Sequence, residues 1–184
     1  MISRDEALKL IRENVRDERY FKHMLAVEAI MKGLADYFKE DKDIWGITGL
    51  LHDIDYERTV NTPERHGLLA QEILRGLVTK EVLRAIKAHN FENTGVMPKS
   101  RMEKALIAAD AISGLIIACA LVMPSKKLKD VRVKTITKKF KSKDFARGVN
   151  RNRILFCEQI GLERRKFFEI ALESLKEIAS ELGL

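Results

Sequence analysis

Apolar residues recur every three or four positions along most of this chain, which is the period of a helix and not the alternation of a strand. Ser3 and Glu6 have the spacing of a capping box, and Leu8, Ile11 and Val15 form a stripe behind them. Tyr20, Met24, Val27, Ile30, Met31 and Leu34 continue at helical spacing, and Ile44, Ile47, Leu50 and Leu51 predict a shorter helix after Asp43. Thr62-Pro63 has the form of a cap with proline at the first helical position, so a helix is expected from there through Leu69, Ala70, Ile73 and Leu74 to Gly76. Thr79 is expected to cap a helix bearing Val82, Leu83 and Ile86. Residues 90–98 read as a loop, and Ser100 with Glu103 opens a long apolar helix that ends before Pro124. Val133, Ile136, Thr137 and Phe140 keep the helical period, and Phe167, Phe168, Ala171, Leu172, Leu175, Ile178 and Leu182 mark a last helix starting near Glu163, with Gly161 ending the one before it. No alternating run of strand length and no internal repeat is present, so the fold class is all-α.

Composition narrows this picture. A length of 184 residues with 46% hydrophobic content suits one domain with a substantial core. Cys119 and Cys157 lie too far apart for a metal knuckle and read as small buried hydrophobes of a reducing compartment. The first six residues already carry charge and no apolar stretch follows, so no signal peptide is expected. The longest uncharged run, Ala111 to Ser125, is fifteen residues. A membrane span needs about 20, so the expectation is a buried helix, no membrane partner and a cytoplasmic location. The net charge is +7, but it is unevenly placed: residues 126–153 hold twelve Lys or Arg against Asp130 and Asp144, which leaves −3 for the rest. The expected division is therefore a core of about 18–123 and a basic helical extension of about 124–184, folded back over the bundle and shaping the entrance to an anion site, with Lys138, Lys139 and Lys141 steering the substrate.

Candidate chemistry comes from polar residues that break the apolar pattern. His23 shares a helical face with Val27, Ile30 and Leu34; His52 ends an apolar helix and is followed by Asp53; His66 precedes Leu69 and Ala70 by one turn; and His89 lies on the stripe of Val82 and Ile86. Asp110 interrupts the most apolar helix, and its helical neighbours at three and four positions are Leu106, Ile107, Ser113 and Gly114. A buried carboxylate there needs a partner or a metal. A lone histidine on an apolar face is commonly a core residue bonded to a carbonyl, but here all four histidines of the chain and one aspartate fit a single reading. Imidazole and carboxylate together suit Fe, Mn, Co, Ni or Zn. Adjacent residues on a helix diverge by about 100°, so His52 and Asp53 can serve one ion only where the helix ends.

His23, the His52-Asp53 pair within LLHDID, and Asp110 within ALIAADAISGL resemble the signature of the HD-domain superfamily of metal-dependent phosphohydrolases. His66 in ERHGLLAQEIL and His89 in VLRAIKAHN look like the two further histidines of its binuclear branches. The resemblance covers about residues 18–123. It implies an HD-like helical bundle in which His23, His52, Asp53 and Asp110 hold a first divalent ion. His66 and His89 would hold a second, with Asp53 bridging, or else meet the substrate phosphate. His52 and Asp53 form the implied catalytic centre, acting through metal-activated water on a phosphate ester or anhydride. A nucleotide or dinucleoside polyphosphate is the expected substrate, and Arg58, Arg65 and Lys104 are candidate phosphate contacts. Many relatives carry lysine three residues past the aspartate of the pair, where this chain has Tyr56; Asp55 between them reads as a local or turn residue. The same ligand order is found in a di-iron oxygenase. A nucleotide- or RNA-binding regulatory module resting on the basic segment is a further alternative, with nucleic acid the less favoured partner.

Overall fold

The computed structural model describes residues 1–184 and contains helices and no strands. In chain order the helices are α1 (Arg4–Asn14), α2 (Glu18–Phe38), α3 (Lys42–Leu51), α4 (Tyr56–Thr59), α5 (Leu68–Ile73), α6 (Lys80–His89), α7 (Phe91–Thr94), α8 (Arg101–Leu121), α9 (Val133–Lys141), α10 (Arg151–Ile154), α11 (Arg164–Glu177) and α12 (Ala179–Leu182), with short 3₁₀ turns at Pro63–Arg65, Leu128–Asp130 and Leu155–Ile160. Both expected capping boxes form: Ser3 and Ser100 accept from the amides of Glu6 and Glu103, whose side chains return to the cap backbone. Thr79 caps α6 as expected.

Helix α8 runs through the middle of the bundle, packed against α2, α6, α9 and α11. Fourteen of its 21 residues are buried, so its apolar length is used inside the protein. Helices α2 and α3 cross closely at Gly49, where a Cβ would lie 2.8 Å from the Val27 carbonyl oxygen and 3.0 Å from the Glu28 backbone. That crossing brings the end of α3 against the middle of α2. The extension shares the same hydrophobic core: Leu128, Ile136, Ile154, Phe167, Phe168 and Leu172 belong to one cluster with Met24, Leu34, Leu51, Ile86 and Leu115. Its apolar stripe is thus buried against the bundle, on α8 and α11.

Several boundaries differ from the expected ones. Asp41, not Asp43, begins the third helix, because its carboxylate accepts from both Asp43 and Ile44 amides at 2.9 Å. The helix expected from Thr62 to Gly76 is broken at His66 and Gly67. Thr62 makes no side-chain cap, Pro63–Arg65 is a single 3₁₀ turn, and Gly67 has φ +84°. This left-handed geometry suits glycine, and a Cβ at Gly67 would also sit 3.2 Å from the Ile86 carbonyl oxygen. The loop expected at 90–98 contains one helical turn, α7. The last helix stops at Glu177 and resumes as α12.

Candidate metal centre

Five elements converge on a cleft of about 400 Å³. Helix α2 contributes His23, the end of α3 and the turn after it His52 and Asp53, the break before α5 His66, α6 His89, and α8 Asp110. After Leu51 the backbone coils through tight turns, with the Ile54 amide on Leu51 O and the Tyr56 amide on Asp53 O. The helical divergence of adjacent residues is thereby relieved, and Asp53 Oδ1 lies 3.3 Å from His52 Nε2.

All four imidazoles are anchored in the same way. His52 Nδ1–H donates to Gly49 O at 2.8 Å, and His89 Nδ1–H donates to Ile86 O. His66 Nδ1–H donates to Asp55 Oδ1 at 2.8 Å. His23 Nδ1–H donates to Ser113 Oγ at 3.2 Å, whose own hydroxyl donates to Asp110 O at 2.8 Å. The two carbonyls and the Asp55 carboxylate only accept, and Ser113 spends its hydroxyl hydrogen on Asp110 O, so these partners fix the proton on Nδ1 and turn Nε2 inward as a ligand atom.

The inward atoms are close-packed around Asp53. Its Oδ1 lies 3.3 Å from His52 Nε2, 3.3 Å from His66 Nε2 and 3.4 Å from His89 Nε2, while its Oδ2 lies 3.5 Å from His23 Nε2. Asp110 Oδ1 is 3.2 Å from His23 Nε2. Two groups result, His23–His52–Asp53 and Asp53–His66–His89, each with ligand atoms within 4.8 Å of one another and with Asp53 common to both. Two nitrogens bound to one ion at about 2.0–2.1 Å stand roughly 2.9 Å apart at a right angle and roughly 3.4 Å apart at a tetrahedral one. The observed separations fall in that range or, for His23 and Asp53 at 3.5 Å, just above it. His66 Nε2 and His89 Nε2 are 2.9 Å apart, so either a proton or a metal ion lies between their lone pairs. His52 Nε2 is wholly buried and has no hydrogen-bond partner. An orphaned, inward-facing imidazole nitrogen beside a carboxylate is what a metal ligand leaves when the ion is removed, so the residues present fit a divalent metal.

The electrostatics agree. Burial opposes the charge of Asp53, yet His52, His66 and His89 hold its carboxyl well below the usual range. Asp110 is likewise lowered, against its burial, by His23. Burial also opposes charge on His66, but hydrogen bonds to Asp53 and Asp55 outweigh it and push the ring up to about 10. Burial lowers His89, and its histidine neighbours lower it further. Without metal, then, His66 carries the proton that lies between the two Nε2 atoms.

Asp55 is fully buried and does more than shape a turn. Besides His66 it accepts the Gly67 and Ala70 amides, each at 2.8 Å, and so caps α5 from a distant segment. Asn90 donates to Pro63 O at 2.8 Å and His66 O at 3.0 Å, fastening the His66 turn to the end of α6. Tyr20 and Tyr56, the latter three residues past Asp53, pack edge to face with centroids 5.1 Å apart and line the cleft. Burial and the nearby Asp53 raise the Tyr56 phenol, which therefore stays protonated.

The three candidate phosphate contacts do not reach this cleft. Arg58 is exposed and turns to Asn14, at 3.4 Å; Arg65 is exposed at the end of its 3₁₀ turn; and Lys104, in the first turn of α8, is not among the residues that line the cleft. Their nearness in sequence is not nearness in space. The cation that does line the cleft is Arg153, on α10. In the sequence it is one charge among the twelve of the basic segment. Nor do the expected steering lysines line the cleft: Lys138 and Lys141 border a separate groove with Arg165, and Lys139 lies over the Phe145 ring at 4.4 Å. Cys119 and Cys157 are buried and pushed up to about 11 and about 12 by desolvation, so neither supplies a thiolate nucleophile.

Compared with known proteins, the chain matches the family model described as HD domain over residues 20–115, more than half its length. No curated protein and no solved structure matches it.

Proposed function

The chain belongs to the HD-domain family, and on that premise we propose that it is a metal-dependent phosphohydrolase. Its substrate would be a small phosphate ester or anhydride of nucleotide type, cleaved by water at a two-ion centre. The observation that carries the reading is the set of four Nε2 atoms turned toward two carboxylates, with that of His52 buried and unpartnered. His23, His52, Asp53 and Asp110 would hold one ion, and Asp53, His66 and His89 the other. When bound, divalent ions supply a lowered pKa for water and positive charge against the phosphoryl oxygens. The protein's part is positioning and electrostatics. Asp53 turns Oδ2 toward His23 and Oδ1 toward His52, His66 and His89, so its carboxylate meets both ligand groups. The Nδ1 anchors hold each ring in the tautomer that ligation needs. Tyr56, kept protonated, has a hydroxyl hydrogen to donate to a bound oxyanion. The tyrosine pair offers an aromatic wall on which a planar base can stack, which favours a nucleotide.

The test is metal analysis of the purified protein joined to a phosphate-release screen over nucleotides, with and without added Mn or Fe. Release that depends on added metal and vanishes in Asp53→Ala is the expected result. A metal-loaded protein that releases no phosphate but consumes oxygen with a polyol would assign it to the di-iron oxygenases instead. Salt-sensitive binding to polynucleotide without hydrolysis would favour the binding module.

A further inference from the structure

The HD-domain match ends at residue 115, yet the cleft is completed from the extension beyond it. Arg153 is the one Lys or Arg among the nine residues lining the cleft, and its side chain is only 17% exposed. Its Nη2 donates to His89 O and, at 3.2 Å, to Asp110 Oδ2. Its Nη1 donates to both carboxylate oxygens of Glu92, at 3.0 and 3.2 Å. Because Asp110 Oδ1 faces His23 while Oδ2 faces Arg153, one carboxylate group separates the guanidinium from the ligand atoms.

The support for this side chain is firm. Asn150 caps α10, Ile154 is buried in the core, and Arg151 ties the preceding loop together by donating to the Ala146, Val149 and Phe145 carbonyls. The Glu92 carboxylate, by contrast, is 41% exposed. An ion pair with an exposed partner contributes little and exchanges easily, whereas the planar fork of arginine matches a phosphate bidentately.

We propose that Arg153 is the substrate-binding arginine of this site, exchanging Glu92 for the phosphoryl oxygens of the bound substrate. The inference rests on the phosphohydrolase reading. It makes the extension part of the active site, and it assigns Glu92 as the internal anion that occupies the guanidinium until phosphate arrives.

The test uses the full-length, metal-loaded protein with inorganic phosphate as the probe, followed by KM and kcat on whichever nucleotide the screen identifies. Arg153→Ala should weaken phosphate binding and raise KM at least tenfold with metal content unchanged. Arg153→Lys should recover part of both, since it restores charge but not the fork. Glu92→Gln should bind phosphate at least as tightly as the parent, because it removes the competing anion. If Arg153 were only a strap joining α10 to the bundle, Glu92→Gln would weaken phosphate as Arg153→Ala does, and that result overturns the proposal. So does parent-like phosphate affinity in Arg153→Ala. Should Arg153→Ala fail to fold, the lysine and Glu92→Gln variants decide. A metal-loaded parent that neither binds phosphate nor hydrolyses any ester removes the phosphohydrolase reading, and this proposal with it; hydrolysis by the parent with no effect of the variants removes the proposal alone.

Discussion

Asn in place of Asp55 separates two jobs that one buried carboxylate performs. Oδ2 accepts the Gly67 and Ala70 amides, and Oδ1 accepts His66 Nδ1–H. Asparagine can keep its carbonyl oxygen on the two amides, so the cap of α5 survives. Its NH₂ then faces His66 Nδ1 and cannot accept. Either the ring changes tautomer, placing the proton on Nε2 where a metal must bind, or two donors face each other at a cost of about 1–3 kcal/mol. At about 1.4 kcal/mol per tenfold, that is on the order of 10–100-fold in metal affinity, the range found for such supporting groups. The loss should fall on the ion held by His66 and His89, and leave the one held by His23, His52 and Asp110. Titration of the metal-free protein with Mn(II), followed calorimetrically, should show one equivalent at parental affinity and one weakened by that factor, with little change in Tm. Asp55→Ala behaves differently, since it strands two buried amides and removes a charge-assisted bond, costing about 3–6 kcal/mol of fold stability. Two equivalents at parental affinity in Asp55→Asn, or equal weakening of both, would refute the argument.

Three further outcomes follow from the same geometry. Asp53→Ala should lose both ions while His66→Ala loses one, because Asp53 alone belongs to both ligand groups; full occupancy by metal analysis in Asp53→Ala contradicts the assignment. Gly49→Ala should destabilise by about 1–3 kcal/mol, seen as a lower Tm and weaker metal binding, because backbone on α2 leaves the new methyl no room; an unchanged Tm contradicts the close crossing. His66 is raised to about 10 against about 6.5 when unfolded, so its charge stabilises the metal-free fold fully below pH 6.5, and that contribution is lost as pH rises through 10. Metal must displace this proton, so loading at pH 7.5 should release protons, measured as a dependence of the binding enthalpy on buffer ionisation; no such dependence contradicts the protonated state.

The ligand residues were legible because they are anomalies. A histidine or aspartate on an otherwise apolar face conflicts with the periodicity around it, and that conflict is visible within one helical turn, as with Asp110 between Leu106 and Gly114. The helices were legible for the same local reason. What escaped depends on segments meeting in space. The break at His66 and Gly67 is held by Asp55, outside that helix, which takes the Gly67 and Ala70 amides that a continuous helix would have bonded to its own carbonyls; within 62–76 only the glycine hints at it. The phosphate candidates Arg58, Arg65 and Lys104 lie near the ligands along the chain, yet none lines the cleft. Arg153 gave no local signal. In a segment of twelve Lys and Arg, one more arginine conflicts with nothing. Its distinction is the burial of a charge beside Asp110, 43 residues earlier in sequence, and that becomes visible only once α10 is seated on α8. Sequence periodicity therefore exposes the groups a metal requires, which must be buried against their nature. A group that a substrate requires keeps the character of the surface around it, and it takes the fold to single it out.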